Sequence, residues 1–177
     1  MRTKELIAIV IILIITLIVA LSSKANAQDG IWLNGYVDGK LLVSDDDYGN
    51  TAPTFDTNLI VSMQGYDTKF GFLSIQAKFE YADINPRMIR YSAGAGFTFN
   101  GIKRLEFTPS INYGRIIRYE RAFSSFEGTF DVAYVITPKF KVMLMGALTQ
   151  RTDIKNRWGG KMLWRESGFI GIGYKIK

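Results

Sequence analysis

Residues 88–113 alternate apolar and polar side chains in two long runs, and they constrain the fold more than any other part of the chain. In the first run Ile89, Tyr91, Ala93, Ala95, Phe97 and Phe99 oppose Arg90, Ser92, Gly94, Gly96 and Thr98. In the second run Leu105, Phe107, Ile111 and Tyr113 oppose Glu106, Thr108, Ser110 and Asn112. This period of two predicts a β-hairpin with its turn at Asn100-Gly101. Each arm has the roughly ten residues that a tilted strand needs to cross a bilayer.

The same alternation recurs along the chain and predicts eight strands. Besides the hairpin, strands are predicted at residues 31–43, 57–66, 70–81, 126–136, 140–151 and 162–176. Long connections are predicted at residues 44–56, 82–87, 120–125 and 152–161, and tight turns after the second, fourth and sixth strands. Pro109 predicts a bulge or a lost ladder bond inside the fifth strand. An even number of strands with short turns on one rim and longer loops on the other predicts an all-β fold, an eight-stranded antiparallel transmembrane up-and-down β-barrel.

The composition removes several classes of function. The 177 residues include no Cys and no His, so disulfides, thiol nucleophiles, His-metal centres and Ser-His catalysis are excluded. We therefore predict no enzyme activity, no cofactor and no metal. The Asp45-Asp46-Asp47 run could suggest calcium, but it lacks the Gly and Glu spacing of an EF-hand loop, and a solvated loop is the preferred interpretation. The formal charge of +6 falls to +4 without residues 1–27, which is a mild excess, and because those residues indicate export we predict no nucleic-acid partner.

Residues 1–27 have the three parts of an export signal. Arg2 and Lys4 give a positive start, residues 6–21 are an almost unbroken apolar run, and Ala25-Asn26-Ala27 is a small-residue cleavage site. The alternative is an uncleaved anchor, although the apolar run is short for a spanning helix. We predict a cleaved signal peptide over residues 1–27 and a barrel domain over residues 28–177.

Alternation alone leaves open whether the apolar face lines the barrel or covers it. A soluble ligand-binding barrel would point that face inwards. Aromatic residues on this face collect near the strand ends, as they do at the two water–lipid interfaces. Phe97, Phe99, Phe107, Tyr134, Phe140 and Tyr174 lie near the tight turns, and Tyr81, Tyr91, Tyr113, Phe126 and Trp164 lie near the loops. Because the other face is rich in small polar residues that suit a filled lumen, we predict that the apolar face is outside.

The polar face carries charged residues that such a lumen would bury and that therefore need partners. They are Asp38, Lys40, Lys78, Glu80, Arg90, Glu106, Glu127, Asp131, Lys141, Arg151, Arg165 and Lys175. The preferred interpretation is a plug of ion pairs that closes the barrel. The alternatives are an ion or proton path, or a catalytic carboxylate pair such as Glu127 with Asp131.

Over residues 28–177 the chain resembles the small eight-stranded outer-membrane barrels of bacteria, the OmpA/OmpX-like class. The resemblance rests on the export signal, the alternating strands, the aromatic belts and the asymmetric connections. It implies a location in the outer membrane of a Gram-negative bacterium, contact with outer-membrane lipids, and insertion by the barrel-assembly machinery. The chain departs from the class at its end, where Tyr174 is followed by Lys175-Ile176-Lys177 instead of closing on an aromatic residue.

The resulting function hypothesis is an integral outer-membrane protein with a structural or surface-interaction role and a surface partner that is left open. Basic residues in and near the loops could contact lipopolysaccharide phosphates, with ordinary solvated charge as the alternative. They are Arg87, Arg118, Arg121, Lys155, Arg157 and Lys161. A narrow channel or transporter for small or apolar solutes is a second hypothesis, and a soluble lipocalin-like binder is another. A lipid-modifying enzyme is disfavoured, because known enzymes of this architecture resemble His-dependent ones.

Overall fold

Eight antiparallel strands form a closed barrel in sequence order in this computed structural model, which describes residues 30–43, 53–84, 87–158 and 163–176. The strands are β1 (Ile31–Asp38), β2 (Asp56–Thr68), β3 (Gly71–Ala82), β4 (Met88–Ile102), β5 (Leu105–Arg118), β6 (Arg121–Thr137), β7 (Phe140–Arg151) and β8 (Leu163–Lys175). Two short helices, α1 (Gly39–Val43) and α2 (Thr152–Trp158), follow β1 and β7. The predicted fold class, an eight-stranded antiparallel up-and-down barrel, is confirmed.

The strands are staggered around the barrel. Starting at Lys175 of β8 and moving from each residue to its partner on the next strand, one crosses every strand and returns to β8 at Arg165. The offset of ten residues between Lys175 and Arg165 is the shear of the barrel. Eight strands with this shear are strongly tilted, and they enclose an interior just wide enough for side chains to fill. The connections after β2, β4 and β6 lie on one rim, called the turn rim here, and the other connections lie on the loop rim.

The alternation of side chains sets the inside and the outside of the wall. In β7, Met143 and Met145 are buried at 4% and 2% exposure, whereas Leu144 between them is 58% exposed. The same pattern holds in β8, where Phe169 is buried while Ile170 and Ile172 are exposed. The barrel therefore presents apolar side chains outwards and fills its lumen with the opposite face, which is the arrangement that a lipid environment requires.

β1 is shorter than predicted, because α1 replaces the predicted strand residues 39–43. The Leu41 backbone N–H donates to Asp38 Oδ1 at 3.0 Å, so the Asp38 side chain caps the helix and the strand stops there. Leu41, in the helix, is buried at 1% exposure. Lys40, predicted to face the lumen, falls in α1, and its side chain is outside the described part of the chain.

The predicted turn at Asn100-Gly101 is wrong. Both residues belong to β4, where the register shifts between Phe99 and Ile102, and the chain turns at residues 103–104, with Arg104 at a φ of 65°. A two-residue turn at Asn100-Gly101 would pair Phe99 with Ile102 and move every later residue of β5 to the opposite face. Glu106 would then point into lipid, so the bulge keeps the polar face of β5 inside.

The predicted loop at residues 120–125 is also wrong, because β5 and β6 continue to a tight turn. Arg118 pairs with Arg121, and the two residues between them, Tyr119 and Glu120, have φ of 50° and 61°. Such values are typical of the primed turns that match the twist of a hairpin. The predicted loop at residues 152–161 begins instead with α2.

Pro109 lies on the outer face of β5 and keeps its register with Phe130 of β6. Towards β4 the pairing is interrupted between Ser110 and Phe107 without a change of register, so the predicted lost bond is confirmed rather than a bulge. The Asp45-Asp46-Asp47 run and the predicted signal peptide lie outside the described residues. Neither helix in the described part of the chain combines the length and the apolar character needed to span a membrane.

Candidate functional site in the barrel lumen

A network of buried ions centred on Glu127 crosses the loop-side half of the lumen. Lys78 Nζ, from β3, donates to Glu127 Oε1 at 2.8 Å, and Arg90 Nη1, from β4, donates to the same oxygen at 2.5 Å. The other carboxylate of the network, Glu80, lies 3.5 Å from Arg90 and 3.9 Å from Lys78. The four side chains are exposed by 0–7%. Because β6 is adjacent to neither β3 nor β4 in the barrel, these bonds run through the lumen and tie separate parts of the wall together.

Neutral side chains complete the hydrogen bonds around Glu127. Thr149 Oγ1 donates to Glu127 Oε1 at 3.1 Å, and Asn112 Nδ2 donates to Oε2 at 3.4 Å. Gln76 Nε2 donates in turn to Asn112 Oδ1 at 2.8 Å and to Ser110 Oγ at 3.0 Å. Glu127 therefore accepts from four different strands, and a low-dielectric interior strengthens each of these bonds.

Not every polar group in this half of the lumen has a protein partner. Both carboxylate oxygens of Asp56, both amide atoms of Asn58, and Nε and Nη2 of Arg90 are buried without a hydrogen bond to any described residue. Arg165 Nη2 lies 4.0 Å from Asp38 Oδ2 beside them. Such groups need internal water to offset their desolvation. No three His, Cys, Asp or Glu side chains among the described residues lie close enough to hold a metal ion.

An apolar layer lies below the ions, and the sequence analysis did not predict it. Buried members of the layer are Tyr36, Ile60, Ala133, Met143, Met145, Ala147 and Phe169. Phe169 lies 5.7 Å from Lys78 Nζ, so the aromatic ring contacts the ion network directly. Its position on the lumen side of β8, between Ser167 and Gly171, was the signal that could have identified it. The lumen is therefore closed twice, by ions and by apolar packing.

The turn-side half of the lumen is polar and partly open. Lys141 Nζ donates to Glu106 Oε2 at 3.0 Å and lies 4.3 Å from the ring centroid of Trp32. Tyr36 Oη donates to Asp131 Oδ1 at 2.6 Å across the barrel. A cavity of about 40 Å³ lies among these side chains, which is room for one or two water molecules. This pocket ends at the apolar layer.

At the loop rim α2 contacts β5, β6 and β8, and Asp153 attaches the helix to the barrel. Arg151 donates from Nε at 2.9 Å and from Nη2 at 2.7 Å to the two oxygens of Asp153, and Arg118 Nη1 donates at 3.1 Å. Burial alone would raise the pKa of the Asp153 carboxyl, but hydrogen bonds and positive charge from Arg151 and Arg118 hold that pKa below its usual value. The Thr152 hydroxyl also donates to the Ser124 carbonyl of β6. We call this cluster of Arg118, Arg151 and Asp153 the α2 latch.

Most of the charged residues predicted to face the lumen are buried in the structure. Asp38, Lys78, Glu80, Arg90, Glu127, Arg151 and Arg165 are buried, whereas Glu106, Asp131, Lys141 and Lys175 are partly exposed. Glu127 and Asp131, considered as a catalytic pair, have separate partners: Glu127 meets Lys78 and Arg90, and Asp131 meets Tyr36. The residues that the sequence analysis missed are Asp56, Asn58, Gln76, Asn112 and Asp153. Arg118, predicted to be a free loop cation, is buried in the α2 latch instead.

The predicted belt residues all lie on the outer surface, and each is partly or largely exposed. Tyr91 and Phe99, one from each belt, are eight residues apart in β4. At roughly 3.3 Å per residue and a tilt of about 40°, their separation along the barrel axis is about 20 Å. An apolar band of about 20 Å between two aromatic belts is somewhat shorter than the band of about 25 Å that is typical of outer-membrane barrels. Tyr113 and Phe126 contact each other within one belt, with ring centroids 4.7 Å apart and ring planes inclined at 48°.

Comparison with known proteins supports the fold but gives no family. No protein-family model matches the chain, and no curated protein matches its sequence. Among solved structures, the outer membrane protein Ail of Yersinia pestis, determined in a phospholipid bilayer nanodisc, matches with a TM-score of 0.52 and 15% identity, over 84% of this chain and 99% of that one. A de novo designed transmembrane β-barrel matches with a TM-score of 0.50 and 12% identity, over 83% and 95% of the two chains. The chain thus has the fold of the small bacterial outer-membrane β-barrels.

Proposed function

We propose that the protein is an integral outer-membrane barrel with a closed lumen, and that it serves the cell envelope through its structure and its surface. The observation that carries the proposal is the Glu127 network, whose ions bridge β3 and β4 to β6 with side chains that are at most 7% exposed. The apolar layer beneath closes the same cross-section again. A water-filled path for ions or solutes would need both layers to be displaced, which argues against a channel. The chain has no His or Cys, and the proposal includes no catalytic role.

The proposed location is the outer membrane of a Gram-negative bacterium, reached by means of a cleaved signal over residues 1–27. The support is the sequence of that segment together with the outward apolar band and its two aromatic belts. Fractionation of cells tests the location, and gel migration with and without boiling tests the fold, because a folded barrel changes mobility on heating. Recovery of the processed chain as a soluble protein without detergent would contradict the proposal and favour a soluble binder.

The surface available for an interaction role lies on the loop rim. The β5–β6 hairpin exposes Tyr119, Glu120 and Arg121 at its turn, and Arg87 and Lys155 are exposed on neighbouring connections. These three cations remain our candidates for contact with lipopolysaccharide phosphates, whereas the latched Arg118 is withdrawn from that set. The other two predicted candidates, the side chain of Arg157 and residue Lys161, lie outside the described part of the chain. Arg87 lies 3.5 Å from Asp83, so it is partly neutralised before any ligand arrives. Insertion by the barrel-assembly machinery is part of the same proposal.

Conductance in planar bilayers tests whether the lumen is closed. We expect no discrete openings from the wild-type barrel once its insertion has been verified by the gel shift. A charge-balanced variant with Lys78→Ala, Glu127→Ala and Phe169→Ala thins both closing layers and is the positive control, because it should increase the frequency of openings. Regular openings in the wild type would refute the closed lumen and support the narrow-channel alternative.

A further inference from the structure

The turn rim of the barrel is strongly basic. The β2–β3 connection carries Lys69, the β4–β5 connection carries Lys103 and Arg104, the β6–β7 connection carries Lys139, and β8 ends at Lys175. The first four side chains are exposed and the last is partly exposed. None of the five has a carboxylate of a described residue within 4.0 Å. We call these five residues the basic ring.

Acidic residues do not balance the basic ring. The three connections themselves, residues 69–70, 103–104 and 138–139, have no acidic residue. Asp67 lies near this rim at the end of β2, and its carboxylate accepts a hydrogen bond from Gln64 Nε2 at 2.8 Å. The exposed residues of the loop rim, within the described part of the chain, are of mixed sign: Arg87 neighbours Asp83, and Arg121 adjoins Glu120. Positive charge is therefore concentrated on the turn rim of the barrel, although the basic residues predicted to contact lipopolysaccharide lie on the loop rim.

The basic ring lies directly against the aromatic belt of the turn rim. Lys139 precedes Phe140 and Lys175 follows Tyr174, so two cations adjoin two belt residues in sequence. Arg104 Nη1 donates to Tyr134 Oη at 3.4 Å, which places a guanidinium next to a third belt residue. Lys69 Nζ lies 5.9 Å from the ring centroid of Phe70, which is 69% exposed. Aromatic belts lie at the level of lipid headgroups, so the basic ring is at the height of the phosphates.

We propose that the basic ring binds the phosphate groups of anionic phospholipids in the leaflet that surrounds the turn rim. Several unpaired cations around one circumference, at the headgroup level of a membrane protein, match the charge and the position of such lipids. Each Lys or Arg close to an anionic surface strengthens attraction by up to about fivefold, and the attraction weakens as salt shortens the Debye length. This inference rests on the proposed membrane location, and it adds a specific lipid class to it.

The test compares how strongly the barrel associates with spin-labelled phosphatidylglycerol and with spin-labelled phosphatidylcholine in phosphatidylcholine bilayers. The two leaflets have the same composition, so the orientation of insertion does not affect the result. We expect the wild type to prefer phosphatidylglycerol at low salt and to lose that preference at about 1 M salt, where the Debye length is about 3 Å. The variant with Lys103→Gln, Arg104→Gln and Lys139→Gln should lower the preference by about twofold or more.

A matched control removes three cations from the opposite rim, by Arg87→Gln, Arg121→Gln and Lys155→Gln. This variant has the same net charge as the turn-rim variant, and it should keep most of the preference for phosphatidylglycerol. Equal losses in the two variants would refute a localised site, and no preference in the wild type would refute lipid recognition altogether. The heat-dependent gel shift of each variant is measured separately, so failure to insert would count against the membrane proposal and not against the basic ring.

Discussion

Glu127→Gln is the change that most directly tests whether the ion network holds the barrel together. The substitution keeps the shape of the side chain but removes the negative charge that faces Lys78 and Arg90. It also replaces one acceptor oxygen by an amide that donates. If this amide faces Asn112 Nδ2, two donors oppose each other, because Asn112 Oδ1 already accepts from Gln76. The two cations are then left with Glu80, at 3.9 Å and 3.5 Å, as their remaining carboxylate.

The expected cost follows from the burial of these charges. Lys78, Arg90 and Glu127 have side chains that are 0–1% exposed, so bulk water cannot replace the lost partner. Removing one member of a buried ion pair costs about 3–5 kcal/mol, mostly because the other charge stays desolvated. We therefore expect the free energy of unfolding of Glu127→Gln to fall by about 3–5 kcal/mol. A barrel in which the network were already hydrated would lose much less.

The measurement is equilibrium unfolding in urea or guanidinium of the barrel folded in lipid vesicles, followed by tryptophan fluorescence and by the gel shift. Two carboxylates provide matched controls of lower burial. Glu106 has a 15% exposed side chain paired with Lys141, and Glu106→Gln should cost less than Glu127→Gln. Glu120 is exposed in the β5–β6 turn, outside the membrane-spanning strands, and Glu120→Gln should change the free energy of unfolding by about 0.5 kcal/mol or less. Equal losses for Glu127→Gln and Glu120→Gln would refute the reasoning.

Three further predictions concern the latch, the packing of the wall and a turn. The pKa of Asp153 is lowered in the folded barrel. Its contribution to the free energy of unfolding should therefore be fully present above the pKa that Asp153 has in the unfolded chain, and it should be lost as the pH falls through the pKa of the folded state. The difference in unfolding free energy between wild type and Asp153→Asn should thus vanish in acid. A Cβ at Gly94 would lie 2.1 Å from a backbone carbonyl of β5, whereas one at Gly128 would meet nothing within 4 Å. Gly94→Ala should therefore lower the free energy of unfolding by about 1–3 kcal/mol in the same assay. A similar loss for Gly128→Ala would contradict this explanation. Replacing Tyr119-Glu120, both at positive φ, by Asn-Gly should stabilise the hairpin by about 1 kcal/mol, and a lower unfolding midpoint would count against a primed turn.

The side-chain faces of the barrel could be predicted because alternation is a local property of the chain. Glu127 and Asp131 were placed inside from their spacing alone, and in the structure they lie on the face of β6 opposite the exposed Phe130. The turns were less predictable, because an Asn-Gly pair is a local signal that the register can override. At Asn100-Gly101 the polar face of β5 had to stay inside, so the pair became a bulge and the turn moved to residues 103–104. At Tyr119-Glu120 the opposite occurred, and a tight turn formed without its usual residues.

The partners inside the lumen could not be predicted, because they depend on the shear of the barrel. A shear that differed by two residues would leave every side chain on its present face, since a shift of two residues keeps the parity of the strand. It would nevertheless slide β6 along the barrel relative to β3 and β4. The carboxylate of Glu127 would then no longer lie level with both Lys78 and Arg90, which it now meets across the lumen. Alternation therefore determines that charges are buried, whereas the stagger of the whole barrel determines which charges meet. Asp56 and Asp153 were missed for another reason, because both fell in predicted loops, residues 44–56 and 152–161, where alternation assigns no face, although both lie in or beside the lumen.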